Sequence, residues 1–211
     1  MNDAIIAYAS VLRLTRSDIS ILKIKDAYGL HRVVYGLFED VRTEKEKQGS
    51  TPSGIVYIDK GGDFHHRNIL ILSDRKPHQT PQFGQVETKP VPASFLDHEN
   101  YAFEVTLNPS RRDKETGKII PMRNRQNVQE WFLSRSERSW GFCVDTRSLQ
   151  VEKIGVQTFE KGNQTITHGV ATLKGKLRVT DKARFKKSFL QGIGRGRAYG
   201  LGLLQIAPLN D

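Results

Sequence analysis

The sequence predicts an α+β protein made of two tandem βαββαβ units, and three observations lead there. In the first half, Leu30, Val33, Val34, Leu37, Phe38 and Val41 recur at helical spacing between short apolar β runs. After residue 98 the same alternation returns, with Val128, Trp131, Phe132 and Leu133 on one helix and a second helix opening at Asp181. Between the halves, four prolines fall within residues 76–92, which marks a Pro-rich linker. The expected domains are therefore 1–90 and 98–211, each a ferredoxin-like (RRM-like) unit.

Residues 4–14 read as the first strand. Asp26 is placed to cap the helix that carries the apolar stripe, and the charged run 44–49 closes it in solvent. Residues 54–59 and 68–73 read as two strands about a turn at 60–63. No segment stands out as this unit's second helix. In the second unit, 101–107 alternates as a strand, 108–117 is a polar loop, and 118–122 returns as its partner. A helix over 127–136, reaching toward Trp140, precedes β segments at 149–159 and 165–179. A basic helix over 181–191, a glycine-rich loop and a strand over 201–207 close the chain.

Charge is unevenly shared. Of the 211 residues, 1–99 hold 13 Lys/Arg and 13 Asp/Glu, whereas 100–211 hold 20 and 10, so the whole net charge of +10 lies in the second half. Residues 174–197 alone carry nine basic residues against Asp181. A basic half on a neutral half is the footprint of a nucleic-acid binder, with a solvated surface as the plainer reading. The lone Cys143 excludes an internal disulfide framework and fits a reducing cytoplasm as a small buried residue. The N-terminus lacks the basic and apolar regions of a secretion signal, and no apolar run is long enough to span a bilayer.

Residues that could carry chemistry are few. His31 borders the apolar stripe, with Tyr28 three residues before it and Tyr35 four after, so the three share a flank. Spacing alone leaves two readings open: ordinary packing, or a proton-transfer group assisted by a phenol. The adjacent His65 and His66 have no further His or Cys at metal-ligand spacing, so no metal site is expected. Arg111, Arg112, Lys114 and Lys118, with Arg123 and Arg125, make a basic hairpin fit to meet phosphates, or an exposed charged turn. The loop Gly192-Ile-Gly-Arg-Gly-Arg-Ala-Tyr-Gly-Leu-Gly-Leu-Leu204 brings Gly192, Gly194 and Gly196 together with Arg195 and Arg197, a backbone able to hug an anionic ligand. It runs from helix to strand and lacks Gly-Lys-Ser/Thr, which sets it apart from the nucleotide-phosphate loops.

These pieces resemble a known family. Asp26-Ala-Tyr28-Gly-Leu-His31-Arg32, Phe103-Glu-Val-Thr-Leu-Asn108-Pro109 with the basic loop and Trp131-Phe-Leu133, and the glycine-rich run with Ala207-Pro208 together resemble the CasE-type CRISPR endoribonucleases. These RAMP-superfamily proteins are the repeat-RNA processing subunit of the type I-E Cascade complex. The resemblance implies two ferredoxin-like domains and a cytoplasmic enzyme with no cofactor. Its partners would be a CRISPR repeat RNA stem-loop and other Cascade subunits, with no membrane. It implies metal-independent cleavage by the 2′-hydroxyl beside the scissile phosphate, giving 2′,3′-cyclic phosphate and 5′-hydroxyl ends. By the same resemblance His31 is the general acid or base, Tyr28 orients the reacting group, and the glycine-rich loop holds RNA without taking part in the chemistry. The family's lysine near the phosphate has no counterpart here: Gln164 and Thr165 stand in its region, Lys161 is the nearest lysine, and Arg32 is another candidate cation. A non-catalytic RNA-binding scaffold with a structural His31 is the competing reading.

Overall fold

The computed structural model describes residues 3–43, 45, 52–63 and 65–209. Two antiparallel sheets dominate it. The first unit comprises β1 (Ile5–Thr15), α1 (Arg16–Ile21), α2 (Ala27–Tyr35), β2 (Ile55–Gly62), β3 (His66–Ser73) and β4 (Gln85–Pro92). Its sheet runs β2-β3-β1-β4. The second comprises β5 (Asn100–Leu107), the hairpin β6 (Ser110–Arg112) and β7 (Ile119–Pro121), α3 (Arg125–Arg135), β8 (Phe142–Val144), β9 (Gln150–Lys161), β10 (Gln164–Val179), α4 (Lys182–Gln191) and β11 (Gln205–Pro208). Its sheet runs β11-β5-β10-β8, with β9 also paired to β10. Counting β5, β8, β10 and β11 as its first to fourth strands, both sheets read fourth-first-third-second, so the tandem ferredoxin-like expectation is met.

Several elements differ from the sequence reading, each for a physical reason. The Pro-rich stretch ends in a strand: Tyr8 pairs with Pro90 and Ile5 with Pro92 at the sheet edge, where a missing N–H costs no ladder bond. No helix separates β3 from β4. The loop expected after β1 contains α1, started by a capping box in which Thr15 and Asp18 bond each other's backbone N–H. α2 stops at Gly36 short of Val41, because the Leu37 carbonyl accepts from His78 N–H at 2.8 Å and the chain turns away. Val41 is left 65% exposed. The charged run 44–49 lies, Lys45 apart, outside the described residues. Residues 201–204 belong to no strand: Gly202 N–H bonds the Thr106 carbonyl at 2.7 Å as a single bridge, and pairing begins only at Gln205. Cys143, on β8, is half-buried.

β2 shows how the units join. Ile55 and Tyr57 face the cluster around α2, with Leu12, Leu30 and Ile69. Val56 and Ile58 face the opposite cluster, with Phe103, Leu107 and Leu203 of the second unit. Alternate side chains of one strand thus serve two cores, which is why 55–58 reads as an unbroken apolar run. β2 is also an edge strand, and the glycine-rich loop covers it: a Cβ on Gly192 would sit 2.8 Å from Val56, and one on Gly200 3.2 Å from the Tyr57 ring. Among the described residues, no helix is long and apolar enough to cross a membrane.

The tightest point of the loop is Gly202, at φ +84°, where a Cβ would meet the Ile193 carbonyl oxygen at 2.2 Å. Gly61, at φ +69°, has open space around it. Gly61→Ala is expected to cost only the left-handed backbone strain, about 1–2 kcal/mol. Gly202→Ala should cost at least about 2 kcal/mol more, because backbone must move as well. Chemical denaturation of both variants checks this, and equal losses would mean the loop does not dock as described.

Candidate active site and nucleic-acid interface

His31 lies in the second turn of α2, whose start is fixed by the Asp26 carboxylate accepting from Gly29 N–H at 2.8 Å. The imidazole is half-buried, and its Nδ1 is 2.7 Å from the Ala198 carbonyl, 167 residues away in the glycine-rich loop. A carbonyl only accepts, so Nδ1 carries a proton, and Nε2 is the nitrogen left to accept one. Tyr57 O–H donates to the same carbonyl at 3.0 Å. Aromatic rings enclose the imidazole: Tyr35 at 4.2 Å between centroids, Tyr199 at 5.6 Å and Tyr28 at 6.0 Å, stacked near-parallel at 17°. Burial holds His31 below its ordinary pKa of 6.5; the Ala198 bond opposes this, while Lys161 and Arg42 add to it.

Beside His31 opens a cleft of about 990 Å³, walled by Tyr35 and Arg42 from the first unit and by Lys161, Arg195, Arg197 and Tyr199 from the second. Lys161, at the end of β9, is exposed and has no carboxylate partner among the described residues. Sequence reading left the cation near the phosphate unassigned, and the fold brings Lys161 to the cleft that His31 lines. Arg32 is instead beside the Tyr28 ring, 5.8 Å from its centroid, and neither residue lines this cleft.

The cleft continues into a basic groove. Gln191, Gly194 and Arg197 are shared with a second pocket holding Arg184 and Lys187, and Ser139 links that to a third between the β6–β7 hairpin and α3. The third pocket gathers Arg111, Arg112, Lys114, Arg135 and Arg138 around Trp131. The sequence reading missed Arg135 and Arg138, although their spacing after Trp131 carries that helical face onward. It also missed Arg42 and Tyr57, the latter hidden in an apolar run with no local signal. Lys118, Arg123 and Arg125 are exposed but line none of the three pockets, and Arg125 donates to the Glu152 carbonyl at 3.3 Å.

Gly192, Gly194 and Gly196 all have positive φ. They carry the chain from α4 past Asn108, which pairs with Arg195 in an isolated bridge. Arg197 lines the cleft half-buried and donates to the Gln191 carbonyl at 3.0 Å, whereas Arg195 is exposed in the cleft wall. Asp63 ties down the backbone N–H groups of His65 and His66. Among the described residues, no three His, Cys, Asp or Glu side chains converge as metal ligands.

Fold and site together define a tandem ferredoxin-like protein with one half-buried histidine at the end of a long cationic groove. The family model described as "CRISPR associated protein" matches residues 8–208, and the chain belongs to that family. It is 24% identical over 131 residues to the CRISPR-associated endoribonuclease Cse3 of Thermus thermophilus, an alignment covering 57% of this chain and 61% of that protein. Among solved structures, Thermus thermophilus Cse3 bound to an RNA representing a pre-cleavage complex aligns with TM-score 0.76 at 21% identity, covering 96% of this chain and 99% of that one. A chain of a CRISPR RNA-guided surveillance complex aligns with TM-score 0.69 at 16% identity, covering 96% and 100%. The resemblance drawn from the motifs is thus borne out at the level of family and fold.

Because burial and the two cations disfavour the imidazolium, His31 is expected to be neutral at pH 7 and to titrate below 6.5 in the RNA-free protein. Following its ring resonances by NMR against pH checks this. Removing Lys161, as Lys161→Ala, should move the midpoint upward.

Proposed function

We propose that this chain is an endoribonuclease that binds the repeat stem-loop of precursor CRISPR RNA and cuts it without a metal ion. The observation that carries this reading is the pairing of a half-buried His31, its Nδ1 held by the Ala198 carbonyl, with Lys161 on one cleft, at the end of a basic groove. Support also comes from family membership and from the name of the Thermus relative, an endoribonuclease.

In this mechanism Nε2 of His31 takes the proton of the 2′-hydroxyl. The 2′-oxygen attacks the adjacent phosphorus, the bond from phosphorus to the 5′-oxygen breaks, and the leaving oxygen is protonated by solvent. The products are a 2′,3′-cyclic phosphate and a 5′-hydroxyl. A neutral imidazole serves as base, which narrows the acid-or-base alternative. Lys161 stabilises the charge that grows on the phosphoryl oxygens. Tyr28 lies outside the cleft and is stacked beside the ring, so its orienting role acts through His31 from the helix flank. The groove holds the duplex through its phosphates, since an RNA helix is read by backbone and shape. Other subunits of a surveillance complex are the proposed protein partners, and the cytoplasm the proposed compartment.

The deciding experiment incubates the protein with the repeat hairpin of its own host in EDTA and maps the product ends. Wild type should cut once and leave a cyclic phosphate. His31→Ala should lose roughly 10²–10⁴-fold in rate, the usual worth of a positioned base. Cleavage by His31→Ala at the wild-type rate would sink the assignment, and binding without cleavage by wild type would favour the scaffold reading.

The groove makes its own prediction. Replacing Arg111 and Arg112 together by Ala should weaken hairpin binding and flatten its salt dependence by roughly 1–2 log units of affinity per log unit of salt, as two phosphate contacts cease to release counterions. Replacing Arg123 and Arg125, outside the groove, should leave that slope unchanged. Binding titrations at several salt concentrations distinguish the two pairs.

A further inference from the structure

Tyr57 is completely buried in β2, yet its hydroxyl reaches out of the core to a single acceptor, the Ala198 carbonyl. That carbonyl is also the partner of His31 Nδ1. A phenylalanine would fill the same volume without a polar group to satisfy, so packing alone does not account for a tyrosine here. The carbonyl needs an anchor. Ala198 sits in a one-turn 3₁₀ segment, Arg197–Tyr199, flanked by Gly196 at φ +79° and Gly200 at φ +78°. One internal bond, Tyr199 N–H to the Gly196 carbonyl at 2.8 Å, closes the turn and leaves the Ala198 oxygen to side chains. Gly200 completes the fit, because a Cβ there would press to 3.2 Å from the Tyr57 ring.

We propose that Tyr57 is a positioning residue: from a rigid strand its hydroxyl clamps the Ala198 carbonyl, and the clamped carbonyl holds the proton of His31 on Nδ1, leaving Nε2 as the basic nitrogen. The glycine-rich loop thereby serves the chemistry through its backbone, beyond any contact it makes with RNA. Which imidazole nitrogen is protonated is set by the hydrogen bond its partner nitrogen makes, so loosening the carbonyl releases the tautomer. The catalytic consequence rests on the proposed role of His31, whereas the tautomer itself does not.

Two readouts keep these apart. Nitrogen-15 shifts of the imidazole, measured by NMR on the RNA-free protein at a pH where the ring is neutral, report the tautomer without any reaction. Wild type should show the Nδ1–H form, and Tyr57→Phe a mixture richer in Nε2–H. Single-turnover cleavage by Tyr57→Phe should fall roughly 3- to 10-fold at unchanged hairpin affinity, the scale of one net hydrogen bond. Identical tautomer populations in the two proteins would overturn the proposal, whatever the rate does. A shifted tautomer with the wild-type rate would sustain the clamp and remove His31 from the chemistry. Should Tyr57→Phe fail to fold, wild type still decides: a clamped hydroxyl gives a slowly exchanging proton close to His31 Hδ1, and its absence would overturn the clamp.

Discussion

The hydrogen bond from His31 to the Ala198 carbonyl joins the two ends of the chain, and most of the structure is arranged so that it can form. A histidine on the first helical face meets a loop 167 residues later only if the two sheets are packed together first. β2 does that packing by giving alternate side chains to two cores, and its outer edge is then the surface on which the loop lies. The loop reaches Ala198 through left-handed backbone at Gly194 and Gly196 and leaves it through Gly200 and Gly202. A side chain at Gly202 would collide with the Ile193 carbonyl, so the glycines here set the path itself.

This changes what the glycine-rich run means. As sequence it looks like a phosphate cradle, and Arg195 in the cleft wall keeps that role available. Its inner side faces protein: Ile193, Leu201, Leu203 and Leu204 are buried. The loop is therefore a folded platform with one side in the core and the other along the groove. Local sequence shows the flexible residues, but only the fold shows which backbone atom they present.

Much of the fold was legible because its signals are local. Asp26, Asp181 and the apolar stripe of α2 mark helices through capping and periodicity, and the long β9–β10 hairpin announces itself through its turn. The missed α1 has a local signal, the Thr15–Asp18 capping box, whereas the other failures trace to a tertiary partner. β4 was hidden because Pro90 and Pro92 look like breakers until they stand at a sheet edge. Val41 extended the helical stripe by sequence, but the Leu37 carbonyl was already claimed by His78. At the site, His31 was visible as a residue out of place on its stripe. Arg42 and Tyr57 were not, because each comes from a different element and nothing in its own neighbourhood sets it apart, and Lys161 stood out only as the nearest lysine until the fold brought it to the cleft. Cations in the hairpin looked alike in sequence, yet Arg111 and Arg112 face the groove while Arg125 turns to β9.

The electrostatics of the cleft depend on whether it is occupied. In the free protein, Lys161 and Arg42 oppose protonation of His31, in the same direction as burial. A phosphate bound between them would cancel that opposition and add a negative charge near the ring, so the imidazole would become easier to protonate in the complex than in the free protein. By linkage, RNA would then bind more tightly as His31 takes up a proton, although the protonated ring is no base. The same cations would thus act twice: in the free protein they add to the burial that lowers the pKa of His31, and in the complex they would share the charge of the reacting phosphate. A balance of this kind requires the histidine, the lysine and the phosphate to be held at fixed separations. That makes the rigidity of Ala198, supplied by Tyr57 from the core, the constraint on which the chemistry of an otherwise exposed groove would rest.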